Sequence, residues 1–389
     1  MIGALGMNTY FYHLMPETTN ILSLVPYRVI PATSGGHLGI VDMHHHIGKL
    51  CNDHIVGTTD NADESKYSFT IHRLFPPIAS RYRPYYKFKK LKKLALQINA
   101  KYIYCDHPYM APTAIALSKS LHIPWFMRSH NIESDRFRTM GKPWWRIMHW
   151  FEQYAMRKAN GVFLITHEDK EWALEHYRLD EEKCHIIPYG TNLFTHPADK
   201  VLAKNQIAKE TGIDAGIPWL YFLGALNYQP NIEALNYILN EIVPKLNAKG
   251  FRYQLFIAGK GLSGAMQSQI ETTSNVQYMG FIPVLDIFLN ACDIMLNPVM
   301  TGGGIKTKAV EALGYNKIVV SSQIGAAGLM PAVCGDNLQI TQDYDWDAFA
   351  DKVIAATKIQ TTIPQAFYDT YNWDKIAAKV IAIMQATKV

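Results

Sequence analysis

The feature that most constrains this chain is a rhythm. A short apolar run, a polar loop and an amphipathic helix follow one another from residue 21 to residue 358. In the first half the strand candidates are 21–25, 54–58, 102–105, 125–128, 161–165 and 185–188, with helices such as 111–121 and 144–158 between them. The second half repeats the style, with strands expected at 219–223, 254–258, 276–279, 294–298, 317–321 and 338–340, and helices at 231–249, 284–290, 306–315 and 345–358. Strands that alternate with helices build parallel sheets covered by helices on both faces. Two such stretches of similar length predict an α/β protein with two doubly wound domains. Their expected extents are 1–195 and 196–364, with the break near 192–203 and closing helices over 365–389 that pack back on the first domain. In such sheets ligands bind beyond the carboxyl ends of the strands, so the strand-to-helix loops are the places to look for chemistry.

Composition narrows the class. Of 389 residues, 48% are apolar and 18% charged, which excludes a disordered chain. No run reaches the roughly 18 apolar residues of a membrane span. The first twenty residues carry neither a basic stretch nor a long apolar core, so no signal peptide is expected. Cys51, Cys105, Cys184, Cys292 and Cys334 are odd in number and widely spaced, which predicts reduced thiols in a cytoplasmic protein. The net charge of +5 is uneven: residues 1–195 hold 23 Lys and Arg against 17 Asp and Glu, and the remainder 15 against 16. All fifteen histidines also lie within residues 1–196. A modest basic excess of this kind fits an anionic ligand or an anionic membrane surface better than nucleic acid.

Four loops carry candidate chemistry. The first is PATSGGH at 31–37. Gly35 and Gly36 let backbone amides approach a ligand at a helix amino end, although a turn needing positive φ would explain them as well. The second, GGGIKTK at 302–308, is the most informative. Gly302, Gly303 and Gly304 open a helix after strand 294–298, and Lys306 and Lys308 are expected in its first turn. Cations there oppose the helix dipole, so an anion, a diphosphate above all, is expected on that end. Glu311 follows three residues after Lys308 and can share its face, and a solvated Lys–Glu pair is the plain alternative. The string does not match the G-x-x-x-x-G-K-[ST] phosphate loop. The third loop is GALNYQPN at 224–231, where Gly224 would lie close to phosphate and Asn227 or Asn231 could simply cap the helix. The fourth is RSHNIESDR at 128–136, a polar cluster at the end of a strand that packing does not explain.

Three features attract attention without supporting a site. Adjacent residues on a helix point about 100° apart, so His44, His45 and His46 cannot share one metal. Asp343, Asp345 and Asp347 form a D-x-D string at a helix start, where capping suffices. Lys87, Lys89, Lys90, Lys92 and Lys93 alternate with Tyr85, Tyr86 and Phe88. They read as a solvated basic helix or, more sharply, as a helix at an anionic lipid surface.

In order along the chain, these loops resemble the retaining GT-B glycosyltransferases of family 4. The resemblance runs from residue 21 onward. It is carried by the Gly35-Gly36 loop, RSHNIE at 128–133, IPYGTN at 187–192, FLG at 222–224, Pro230-Asn231, LFIAGKG at 255–261, 276–280, NP through GGGIKTK at 297–308, EAL from Glu311, and GAAGL at 325–329. It implies two Rossmann-like domains facing a central cleft, and transfer of a hexose-type sugar from a nucleoside-diphosphate sugar to a glycan or lipid-linked acceptor, with no metal or other cofactor. It implies that His130 lies near the transferred sugar and acts in catalysis with Lys306 and Lys308. Gly35 and Gly36 would face the transferred group or the diphosphate, Glu311 would receive the ribose hydroxyls, and residues 276–283, Phe281 and Ile282 among them, would flank the base. Gly224, Asn227, Gly259, Gly302, Gly303, Gly304, Ile305 and Thr307 complete the donor side. His107, Arg128, Asn131, Glu133 and Arg136 form the sugar or acceptor side. Peripheral contact with the inner face of an anionic membrane is part of the same expectation.

The chain departs from the family pattern twice. Gly303 stands where many members have the first of two glutamates, and Ala225, Leu226 and Asn227 stand where many have an Arg and a Lys. Lys306 and Lys308 are expected to replace those cations. A nucleotide-sugar 2-epimerase and a non-catalytic partner subunit are the competing readings.

Overall fold

The computed structural model describes residues 19–32, 34–83 and 85–387. Residues 1–18 of the segment read for a signal peptide and Thr33 of the first glycine loop lie outside the described residues. The chain divides into two compact units. One runs to Ile187 and takes up the chain again from Trp373, and the other is Pro188–Asn372. The dividing points therefore differ from 195 and 364. Helix Gln365–Tyr371 stays with the second unit, and helix Trp373–Ala386 belongs to the first.

The first unit holds seven parallel strands. They are β1 (Asn20–Leu24), β2 (Asn52–Thr58), β3 (Thr70–Phe75), β4 (Tyr102–Asp106), β5 (Trp125–Ser129), β6 (Gly161–Leu164) and β7 (Cys184–Ile186), in the order 3-2-1-4-5-6-7. The inner strands β1, β4, β5 and β6 are buried along nearly their whole length, as expected of a sheet covered on both faces. One face packs on Leu91, Ala114, Met156 and Ala173 from the covering helices. The other packs on Ile40 and Val41 of helix Gly35–Gly48. Helix Trp373–Ala386 lies along that same helix. There His46 bonds the Asp374 carboxylate, and Lys379 Nζ donates to the Ile186 carbonyl at 2.9 Å.

The second unit holds six parallel strands: β8 (Trp219–Leu223), β9 (Gln254–Ala258), β10 (Val276–Gly280), β11 (Ile294–Asn297), β12 (Ile318–Ser322) and β13 (Leu338–Thr341). Their order is β10-β9-β8-β11-β12-β13, so the direction of winding reverses between β8 and β11. The core between sheet and helices includes Leu220, Leu235, Ile257, Leu296 and Phe349.

Three local departures have physical causes. Strand β3 escaped the sequence reading because it is an edge strand whose apolar residues are diluted by His72 and Arg73. The helix expected at 231–249 begins at Gln229, with Pro230 in its first turn, where a missing N–H costs nothing. It then passes through a wider turn at Ile238–Ile242 and resumes as Val243–Ala248. Pro244 lies just past that turn, and widening removes the clash of its ring with the preceding turn.

Candidate functional site

In the first unit, polar side chains gather where β1, β4 and β5 end. Tyr27 follows β1. Its hydroxyl lies 2.6 Å from His107 Nε2, and its ring centroid is 5.5 Å from that of His37 on helix Gly35–Gly48. His107 follows β4 with φ +67°, a conformation that turns its ring onto His130, with centroids 4.3 Å apart and planes 17° from parallel. His107 Nδ1 is buried and has no hydrogen-bond partner among the described residues; Glu133 Oε1 is 3.7 Å away. Glu133 opens helix Glu133–Thr139 and accepts from Tyr109 Oη at 2.8 Å and Arg136 at 2.9 Å. Asn131 holds the turn before it, its carbonyl accepting from Ser129 Oγ at 2.7 Å.

Beneath these lies a chain of buried charge. His130 Nε2 meets Asp106 Oδ1 at 2.9 Å. Asp106 Oδ2 meets His44 Nε2 at 2.7 Å, His44 Nδ1 meets Asp53 Oδ2 at 2.6 Å, and Ser23 Oγ donates to Asp53 Oδ1 at 2.6 Å. Burial opposes charge on His44, but the two carboxylates outweigh it and raise the imidazole to about 10. Burial likewise opposes ionisation of Asp106, yet His44 and His130 hold it far below the usual carboxylate range. Burial lowers both His107 and His130, in His130 against the hydrogen bond it makes to Asp106, so both rings are neutral at pH 7. A neutral His130 that meets a carboxylate through Nε2 carries its proton there, which leaves Nδ1 as an acceptor.

Sequence reasoning singled out His107, His130, Asn131, Glu133 and Arg136, and the structure brings them together. It missed Tyr27, Asp106, Tyr109, Asp53 and His44. Asp106 and His107 close an apolar strand just before Pro108, a signal that was open to reading; the Tyr27 and Asp53 contacts depend on the fold. Arg128, expected with His107 and His130, is fully buried within β5, with its guanidinium 5.7 Å from the Trp373 ring, and its charge helps to lower both histidines. The three consecutive histidines go separate ways: His44 to the aspartates, His45 Nδ1 to the Ser68 amide at 3.0 Å, and His46 to Asp374.

In the second unit, glycines bring the ends of three strands close. Gly224 N–H donates to the Ala258 carbonyl at 3.1 Å, and Gly259 N–H to the Gly280 carbonyl at 2.8 Å. Gly259 has φ +140°, and a Cβ there would fall 1.7 Å from the Gly224 carbonyl oxygen, so no other residue fits. Tyr278 Oη donates to the Gly259 carbonyl at 2.8 Å. Beyond β10, Phe281 is exposed, with Lys260 Nζ 3.9 Å over its ring, while Ile282 is half-buried. Asn227 is exposed, and neither it nor Asn231 caps the next helix. Tyr228 holds the cap position, and Asn231 donates to the Ala225 carbonyl at 2.9 Å.

The loop after β11 is pinned at its base, where Asn297 Nδ2 bonds Ser321 Oγ and the Gly325 carbonyl, both at 2.9 Å. Gly302 and Gly304 take φ +89° and +70°, and Gly303 lies exposed between them. These turns deliver the chain, past buried Ile305, to helix Thr307–Gly314. Lys306 was expected in the first helical turn but occupies the cap position. Its ammonium folds back onto the Gly302 and Gly304 carbonyls at 2.9 and 3.0 Å. Lys308 Nζ meets Glu311 Oε2 at 2.7 Å. No side chain caps the helix, so its leading amides have no side-chain acceptor, and amides of that kind at a helix start suit an anion. In the D-x-D string Asp345 caps helix Trp346–Ala356, accepting from Ala348 N at 2.9 Å, and Asp343 accepts from Ile324 N at 3.1 Å in the turn after β12.

Two Rossmann-like parallel sheets, each with glycine loops and polar clusters at its strand ends, define a GT-B protein. Solved structures share the fold. A glycosyltransferase from Rickettsia africae aligns with TM-score 0.74 at 14% identity, over 95% of this chain and 98% of that one. HepE of Anabaena, in complex with UDP, gives 0.71 at 14%, over 95% and 100%. Sucrose-phosphate synthase of Thermosynechococcus elongatus gives 0.71 at 16%, over 95% and 98%. The model of Glycosyltransferase Family 4 matches residues 34–193, and that of Glycosyl transferases group 1 matches residues 217–358. The chain belongs to the group 1 glycosyltransferases. An uncharacterized glycosyltransferase of Methanocaldococcus jannaschii, MJ1607, is 26% identical over 256 residues, and the match spans 62% of each protein.

Proposed function

We propose that this chain moves a hexose-type sugar, with retention of configuration, from a nucleoside-diphosphate sugar to a glycan or lipid-linked acceptor. The observation that carries this reading is the uncapped start of helix Thr307–Gly314 with Lys306, Lys308 and Glu311 around it. Departure of the nucleoside diphosphate builds negative charge on a phosphate oxygen. Fixed amides and two ammonium groups stabilise that charge, so the reaction needs no metal in this reading. To receive the diphosphate, Lys306 exchanges its loop carbonyls for phosphate oxygens, and Lys308 leaves Glu311 to the ribose hydroxyls. The acceptor hydroxyl attacks the face the leaving group vacates, and the departing oxygen takes its proton. In the first unit, neutral His130 offers Nδ1 as an acceptor, and the orphaned Nδ1 of His107 beside it supports a polar ligand there. HepE, of the same fold, forms complexes with UDP and with UDP-glucose, which supports a nucleotide sugar as donor.

The test is incubation with UDP-, GDP-, ADP- and dTDP-sugars, with and without a glycan acceptor extract. Acceptor-dependent release of a nucleoside diphosphate supports transfer. Conversion of a donor to its epimer without acceptor would assign the chain to the 2-epimerases. Binding without turnover would make it a partner subunit.

A further inference from the structure

Asp106 lies between two imidazoles and gives one oxygen to each: Oδ1 to His130 Nε2 at 2.9 Å, and Oδ2 to His44 Nε2 at 2.7 Å. A buried carboxylate in that position calls for one positive charge, and either ring could carry it. The far side of His44 decides between them. Its Nδ1 meets Asp53 Oδ2 at 2.6 Å, so His44 has a carboxylate at each nitrogen. A neutral imidazole has one N–H and cannot donate to both; the imidazolium can. Ser23 Oγ donates to the other oxygen of Asp53 at 2.6 Å and fixes that carboxylate against His44. The rings of Tyr104 and Phe69, with centroids 5.3 and 6.4 Å from that of His44, close the remaining sides without a further cation.

His130 is placed differently. Asp106 is the carboxylate it bonds, and its ring stacks on His107. Arg128 stands opposite Asp106 in the register of β4 and β5. Arg128 and an ionised His44 together balance Asp53 and Asp106, and Arg136 pairs with Glu133 at 2.9 Å. This set leaves no unbalanced carboxylate for His130 to answer.

We propose that His44 is a positioning residue for the site in the first unit: by answering Asp106 from behind it spares His130 that charge, keeps the His130 proton on Nε2 and leaves Nδ1 as an acceptor for a ligand hydroxyl. The charges then run Asp53 negative, His44 positive, Asp106 negative, His130 neutral. The raised value of His44 and the lowered values of Asp106 and His130 agree with that order. His44, Asp53 and Asp106 are all buried, so water does not take over the role of the missing partner. Without His44, Asp106 would draw its counter-charge from His130. That ring would take up a proton, and Nδ1 would change from acceptor to donor.

The proposal rests on the transfer reading only in taking a sugar hydroxyl as the group that meets Nδ1, so its test reads the free protein. The full chain is labelled with ¹⁵N in its fifteen histidines, the signals of His44 and His130 are assigned by single replacements, and the ring nitrogens are followed across the neutral pH range. In the wild type at pH 7 the His44 ring should carry two protons. The His130 ring should be neutral, protonated on Nε2, and should titrate below 6.5. In His44→Gln the His130 midpoint should rise past 6.5, by about one unit or more over the wild type. Loosened packing alone would bring His130 back toward 6.5 and no further, so crossing that value separates a charge effect from damage to the fold. His46→Gln, at the neighbouring histidine that bonds Asp374, should leave His130 titrating as in the wild type. If the wild type turns over a nucleotide sugar, the acid limb of its kcat/KM profile should move up with the His130 midpoint in His44→Gln. Absence of turnover defeats the transfer reading and leaves the ring titrations to decide the role of His44. A charged His130 beside a neutral His44 in the wild type overturns the proposal whether or not the variant folds. A His130 midpoint that stays at or below 6.5 in folded His44→Gln overturns it equally.

Discussion

His44 has a carboxylate on each ring nitrogen and no exposed surface. Desolvation alone would keep the ring neutral; Asp53 and Asp106 make it an imidazolium. Removing one member of a buried charged set leaves the others uncompensated, so His44→Gln should cost about 3–5 kcal/mol near pH 6. A folded value near 10, above the ordinary 6.5, means that the stabilisation is complete below pH 6.5 and is lost as pH rises through 10. The gap between wild type and variant, followed by urea unfolding at a series of pH values, should be widest near pH 6 and narrow toward pH 10. A gap that widens with pH would contradict the assignment. At Gly259 the positive φ and the adjacent Gly224 carbonyl both exclude a side chain, so Gly259→Ala should lower the melting temperature of the second unit by several degrees. Scanning calorimetry would show it.

Helix Glu133–Thr139 is held at its start by a residue of another element. Glu152 accepts from the amides of Glu133 and Ser134, both at 3.0 Å, and from Tyr177 Oη at 2.6 Å. Burial dominates those bonds and lifts its carboxyl to about 7. A raised carboxylate contributes stability that is present below its unfolded value of 4.5 and is lost as pH rises through 7. Glu152→Gln does not titrate. The stability advantage of wild type over this variant should therefore shrink between pH 4.5 and 7, read as unfolding midpoints in urea. Constant separation across that window would mean that Glu152 is ionised throughout. The same scale shows what could be read in advance. Buried parallel strands such as β6 and β8 are unbroken apolar runs and announce themselves, whereas edge strand β3 does not. The glycine loops were legible because backbone constraint is written locally. The set of His44, Asp53, Asp106 and His130 was not, because its members come from separate elements that only the sheet order brings together. The burial of Arg128 was hidden for a related reason: it depends on Trp373, far away in sequence.

The whole chain passes from one unit to the other twice, after Ile187 and after Asn372. The returning helix Trp373–Ala386 completes the first unit by covering helix Gly35–Gly48, the element that opens with the first glycine loop. Truncation after Asn372 should therefore speed hydrogen exchange across residues 35–48 while protection of β8 and β9 stays as in the full chain. Uniform loss over both units would show that they do not fold as separate bodies. The account's central claim is that a nucleoside diphosphate is gripped where helix Thr307–Gly314 begins. Titration calorimetry of UDP, GDP and ADP into wild type and into the double variant Lys306→Ala, Lys308→Ala tests it most directly. The account predicts that one nucleotide binds the wild type and that the double variant binds it at least about tenfold more weakly, about 1.4 kcal/mol, with an unchanged melting temperature. Equal affinity in the two proteins would contradict it.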